Sequence, residues 1–147
     1  MKPVFCMMLL LLVAAGPWCG RAAAAESAAL ALLNAGRSVF VRTEVTPSWA
    51  GNDHRTHVIW SLPFDQGRIQ LLKHESYDNV ILEVIPADGT WQGIGKVVAA
   101  WQPNQPHTVD AAWVADGLGK GHFVLGIDGR RVAEQTLVLP RGRAREL

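Results

Sequence analysis

Apolar and polar residues alternate with a period of two along most of this chain. The clearest stretch is HTVDAAWVADGLGKGHFVLGIDGRRV, from His107 to Val132. Val109, Ala111 and Trp113 fall on one side of a first run, and Phe123, Leu125 and Ile127 on one side of a second. Side chains of an extended strand point alternately to opposite faces, so this period predicts two half-buried strands around a Gly-rich loop. Asp128-Gly129 follows the second run. Asp-Gly between apolar runs is a strong hairpin signal, because both central residues of the tight turn take positive φ.

The same reasoning predicts strands over residues 39–46, 57–62, 68–73, 80–85, 94–100, 108–114, 122–127 and 132–139. Turn residues punctuate them: Pro47, Gly51-Asn52-Asp53, Asp65-Gln66-Gly67, Asp78-Asn79, Asp88-Gly89, Pro103-Asn104 and Asp128-Gly129. Short strands at regular spacing predict an all-β sandwich or barrel. Ahead of them, residues 26–36 read as a short helix or linker. Ser27 is its N-cap, and Asn34 and Gly36 stop it.

The first 25 residues read as a signal peptide. Lys2 supplies a positive start, Val4 to Ala15 is apolar, and Ala23, Ala24 and Ala25 offer a cleavage site before Glu26. The apolar run is shorter than the roughly 20 residues of a membrane span, so no stable span is expected after cleavage. Pro17 and Trp18 before Cys19 do not suit a lipoprotein signal. The expected location is secreted or periplasmic. Both cysteines, Cys6 and Cys19, fall in this leader. The remaining domain would have no disulfide, thiol catalyst or thiolate metal site. Net charge is +1, and the leader carries two of the 14 basic residues and none of the 13 acidic ones. A near-neutral domain argues against a nucleic-acid partner. The basic tail, residues 141–147 with Arg141, Arg143 and Arg145, reads as a solvated, frayed end.

The hairpin pattern H-x-V-x-x-x-W…F-V-L-x-I-D-G-x-x-V resembles the core hairpins of the concanavalin A-like lectin/glucanase superfamily, and within it the bacterial laminin-G-like jelly rolls. VFVRTEVTPSWAGNDHRTHVIW, from Val39 to Trp60, is similar to their opening strand and W-x-G-N-D…H loop. GRIQLLKHESYDNVILEVIPADGT, from Gly67 to Thr90, is similar to their middle hairpin. The resemblance spans roughly Gly36 to Leu139 and implies a jelly-roll sandwich over residues 37–140. It implies a non-catalytic recognition module for carbohydrate or an extracellular or periplasmic protein surface. Loop-bound Ca²⁺ also follows from the resemblance, with Asp53 and Asp128 as weak ligand candidates. Family members usually add a closing strand after D-G-x-x-V, often ending in D-E-x-x-x-Y, which this sequence lacks. A minimal jelly roll, a shortened frame, or a subunit completed by a partner strand each fits that departure.

Candidate chemistry is sparse. Catalytic jelly rolls set two carboxylates on one strand, where alternation brings both to one face. Glu83 and Glu44 each lack a second acid two or four positions away, so no catalytic residues are assigned. A polysaccharide hydrolase or lyase is the weaker alternative. His54, His57 and Asp53 have zinc-ligand chemistry, but Asn52 and Asp53 also suit a turn that His57 follows into a strand. Of the six tryptophans, Trp18 lies in the leader, and Trp60, Trp101 and Trp113 read as core. Trp49 and Trp91 stand beside turns. An exposed indole there can stack on a sugar while Asn52, Asp53 and His57 bond its hydroxyls. The alternative for Trp49 is a plug in one end of the sandwich.

Overall fold

The computed structural model describes residues 10–14 and 38–145, and all its regular elements are strands. The segment 26–36 and the proposed cleavage site lie outside the described residues. The strands are β1 (Leu10–Ala14), β2 (Val39–Val45), β3 (His57–Gln66), β4 (Arg68–Lys73), β5 (Asn79–Ile85), β6 (Gln92–Val97), β7 (His107–Ala115), β8 (Lys120–Ile127), β9 (Arg130–Val138) and β10 (Arg141–Ala144). They form two sheets, in the orders β1-β2-β7-β8-β9 and β10-β3-β4-β5-β6. The protein is an all-β sandwich. Each sheet contains a meander, β7-β8-β9 in the first and β3-β4-β5-β6 in the second. The chain crosses between sheets after β2, β6 and β9. All pairings between described strands are antiparallel except β1 on β2, which is parallel.

Alternation sets the core. Val39, Val41 and Val45 of β2 face inward with Val109, Ala111 and Trp113 of β7 and Phe123, Leu125 and Ile127 of β8. Ile69 and Leu71 of β4, Val80, Leu82 and Val84 of β5, and Ile94 of β6 meet them from the other sheet. Trp113 stacks on Phe123, its cross-strand partner, at 5.6 Å between ring centroids. Thr43 is the polar exception on β2, and its hydroxyl accepts a 3.1 Å hydrogen bond from Trp60 Nε1 across the sandwich. Without that acceptor the indole N–H would lack a partner there.

The turn chemistry holds where it was expected. Asp128 and Gly129 have φ of 50° and 75°, as the tight hairpin requires. The strand expected over 94–100 is displaced to β6, Gln92–Val97. Val98 instead donates its N–H to the Asp78 carbonyl and accepts from Trp101 N, which closes a turn.

The tail departs from expectation. Rather than fraying, β10 pairs with the outer edge of β3. Asp65 accepts hydrogen bonds from Arg143 N at 2.8 Å and from Arg145 Nη2 at 2.6 Å. Those bonds hold its carboxyl below the usual range, Arg143 N foremost. Gly142 makes the approach possible. Its φ is 84°, and a Cβ there would stand 2.4 Å from the Cβ of Asp65. The long-range partner Asp65 decides the fold of this segment, and local composition carries no trace of it. The outer edge of β3 is thus covered by a short strand.

Candidate functional site

Two regions of the sandwich carry polar and aromatic side chains in organised arrays. The first is the end built by the β2–β3 loop, the β4–β5 turn, the β6–β7 loop and the β8–β9 turn. Strand alternation continues Ile69 and Leu71 inward to Lys73, which is completely buried at 0% exposure. Its Nζ donates to Asp53 Oδ1 at 2.6 Å, the Arg55 carbonyl at 3.2 Å and Asp78 Oδ1 at 3.3 Å. All three ammonium protons therefore have an acceptor, as a buried cation requires. An ammonium bonded in this way is not presented as a nucleophile.

Asp53 is the hub. Its Oδ1 also accepts from Arg55 N at 3.1 Å, and its Oδ2 pairs with His57 Nε2 at 2.6 Å. The Lys73 hydrogen bond holds this carboxyl far below the ordinary range, against the opposing effect of desolvation, and His57 and Arg55 N add to it. His57 stacks on Trp49 at 4.7 Å, Trp49 on Trp101 at 6.1 Å, and Trp101 on His107 at 3.9 Å. His107 Nδ1 then meets Asp128 Oδ2 at 3.0 Å. The result is a row of four rings with an aspartate-bonded histidine at each end. Desolvation works to raise the Asp128 carboxyl, but the bonds from His107 and Thr108 N leave it lowered. His107 is 8% exposed, and its Nε2 has no partner among the described residues.

Trp49, Asp53 and His57 thus come together, and Asn52 stands exposed on the same loop. Trp49 is half-buried with its ring engaged by two others, the arrangement of an end plug. Both weak calcium candidates are engaged by donors of the fold, although the Asp128 side chain stays 51% exposed. Asp53 takes three donors, one of them a cation, and Asp128 takes Thr108 N on Oδ1 and His107 on Oδ2. Calcium wants six to eight oxygens, and Asp53, already bonded to the Lys73 ammonium, is a poor ligand for it. Among the described residues no group of three or more His, Cys, Asp or Glu is disposed around a metal position. The zinc trio is also divided, since His54 turns to Asp78.

Trp91 belongs to the second region, at the opposite end of the second sheet. The turn before it is shaped by Gly89 at φ 76° and by Asp88, whose Oδ1 accepts from Thr90 N at 2.9 Å. Trp91 is 54% exposed. Its Cζ2 lies 3.3 Å from where a Cβ on Gly93 would stand, so the indole rests beside a bare stretch of β6. Gly93 is in register with Glu83 of β5, and Glu83 with Gln70 of β4. Gln70 Nε2 donates to Glu83 Oε2, and Gln70 Oε1 accepts from Arg68 Nε at 3.1 Å. The exposed Arg68 guanidinium, the half-buried Gln70 amide, the Glu83 carboxylate at 8% exposure, Gly93 and the Trp91 indole thus form one row across the sheet.

The sequence names Trp91 as a candidate beside a turn, and it gives no sign of Arg68, Gln70, Glu83 or Gly93 as its neighbours. Gln70 and Glu83 become neighbours only through the β4–β5 register. The signal for Lys73 was present, because I-x-L-x-K puts the lysine on the apolar face. No protein-family model matches the chain, and no curated protein is significantly similar to it.

Proposed function

We propose that this protein is an exported, non-catalytic recognition module of jelly-roll type that binds carbohydrate on the outward face of its second sheet. The observation that carries the reading is the row from Arg68 through Gln70 and Glu83 to Gly93 and Trp91. An exposed indole supplies a flat apolar surface for the C–H face of a sugar ring. Arg68 and Gln70 are the polar groups beside it that reach solvent to bond the hydroxyls, with Glu83 buried behind Gln70, and the missing side chain at Gly93 lets the indole lie close over β6. Apolar contact with a few placed polar groups is how small-molecule sites combine affinity with orientation.

Binding is favoured over hydrolysis by the neighbours of Glu83. Glycosidases of the usual kind work with two carboxyl groups roughly 5–10 Å apart. The in-register partners of Glu83 are Gln70 and Gly93, neither of them an acid.

Affinity electrophoresis through gels containing soluble polysaccharides tests the reading. The wild type is expected to be retarded by at least one polysaccharide, Trp91→Ala to run freely in it, and Gln70→Ala to be retarded less. Equal retardation of wild type and Trp91→Ala would sink the proposal. Release of reducing sugar, lost in Glu83→Gln, would replace it with the hydrolase reading.

A further inference from the structure

The outer edge of β2 is occupied by five residues from the segment that reads as a leader. Leu10 to Ala14 pair in parallel with Phe40 to Glu44 in unbroken register. This edge can therefore accept a strand. If the leader is removed, β2 loses that partner, and one side of its backbone is left with unpaired N–H and C=O groups. Three other edges are protected or charged, and the β6 edge carries the exposed Lys96. β10 covers β3, and β9 carries exposed Arg130, Arg131 and Glu134, charges of the kind that discourage strand addition. β2 presents Val39, Val41, Thr43 and Val45 to the core and only Arg42 and Glu44 as charges.

Those two charges have opposite sign and flank Thr43 symmetrically. Antiparallel pairing of two copies of β2 about Thr43 sets Arg42 opposite Glu44 of the partner subunit, twice. Val41 then stands opposite Val45 of the partner subunit, which continues the apolar inner face across the junction. Arg42 is already held by Asp110 through bonds of 2.8 and 3.0 Å. The pairing would extend this into a row of alternating charge across three strands. Opposite charges directly across strands stabilise a sheet, and like charges destabilise it. Self-complementarity about one point is what a two-fold interface requires.

We propose that the β2 edge is a homodimerisation surface, masked by Leu10–Ala14 and opened when that strand leaves. The occupant is a second copy of this chain, paired β2 to β2 about Thr43. The inference rests on the export reading only for the event that removes the strand.

The test uses the full chain in two forms, secreted through its own leader and retained with the leader in place. Intact mass reports cleavage, and sedimentation reports assembly. The cleaved product is expected to be a dimer that dissociates on dilution, and the uncleaved chain a monomer. Glu44→Arg, which sets arginine against arginine, is expected to weaken the cleaved dimer at least tenfold. In the cleaved product, which lacks Cys6 and Cys19, Thr43→Cys is expected to cross-link under mild oxidation. Val41→Cys is expected not to, because its counterpart in the other copy lies four residues along the strand. If the leader is retained, the export reading fails, but Leu12→Pro, which interrupts the β1 ladder, still has to convert monomer to dimer. A monomeric cleaved product, a dimer indifferent to Glu44→Arg, equal cross-linking at Val41, or a monomeric Leu12→Pro chain would each overturn the proposal.

Discussion

Replacing Lys73 by methionine tests whether the loop end of the sandwich is held by a buried cation. Methionine keeps most of the unbranched stem and removes the ammonium. Asp53 and Asp78, bonded to Nζ at 2.6 and 3.3 Å, then lose their shared counter-ion. Removing one partner of a buried ion pair costs about 3–5 kcal/mol. The two carboxylates retain 20% and 17% of their side-chain surface in water. That residual hydration places the expected loss at the low end, about 3 kcal/mol. In a domain of this size 1 kcal/mol moves the melting temperature by roughly 4 °C, so a fall of about 12 °C is expected near neutral pH. The pH dependence has a definite sign. Asp53 has a depressed folded-state pKa, with Lys73 the largest cause. Its contribution is complete above the unfolded value of about 3.9 and is lost as pH falls through the folded value. The gap between wild type and Lys73→Met should therefore narrow in acid. Thermal melts followed by circular dichroism at about pH 7 and about pH 2 read both effects. An unchanged melting temperature at neutral pH, or an equal gap at both pH values, would refute the argument.

Three other substitutions probe separate parts of the fold. Gly142→Ala forces a side chain into the left-handed region against Asp65. It should cost about 1–2 kcal/mol and remove hydrogen-exchange protection from Arg143 N and Arg145 N, and retained protection would argue against the docking of β10. Asp128→Ala loses the acceptors for Thr108 N and His107 Nδ1 at a residue with φ 50°. It should destabilise by about 2–4 kcal/mol, whereas Asp128→Asn should retain most of the stability, and equal losses in chemical denaturation would contradict this account. Thr43→Val leaves Trp60 Nε1 without its acceptor. It should lower the urea midpoint by an amount worth about 1–3 kcal/mol at unchanged slope, and an unaltered midpoint would show that this bond contributes nothing.

The parts of the fold legible in the sequence are those governed by local pattern. The alternation from Val109 to Trp113 and from Phe123 to Ile127 placed each of those side chains in the core. Asp128-Gly129 announced its hairpin because positive φ at both positions is a property of those residues. The parts that were not legible depend on partners far along the chain. The basic tail becomes β10 only because Asp65 accepts its N–H groups. Trp49 becomes a plug through Trp101, which is brought to it by the β6–β7 crossing. Gln70 and Glu83 acquire a joint meaning from sheet register and Gly93 from the absence of a side chain beside Trp91. The turn before Trp91 makes it a candidate for an exposed ring, which the structure shows at 54% exposure, and the polar row that gives it a proposed use has no signature of its own.

The most direct measurement is a pair of thermal melts, wild type and Trp91→Ala, each taken alone and with a panel of soluble polysaccharides. A ligand that binds only the folded state raises its melting temperature. The account predicts that at least one polysaccharide raises the wild-type value and leaves Trp91→Ala where it was. No shift with any polysaccharide, or a shift that survives in Trp91→Ala, would contradict it.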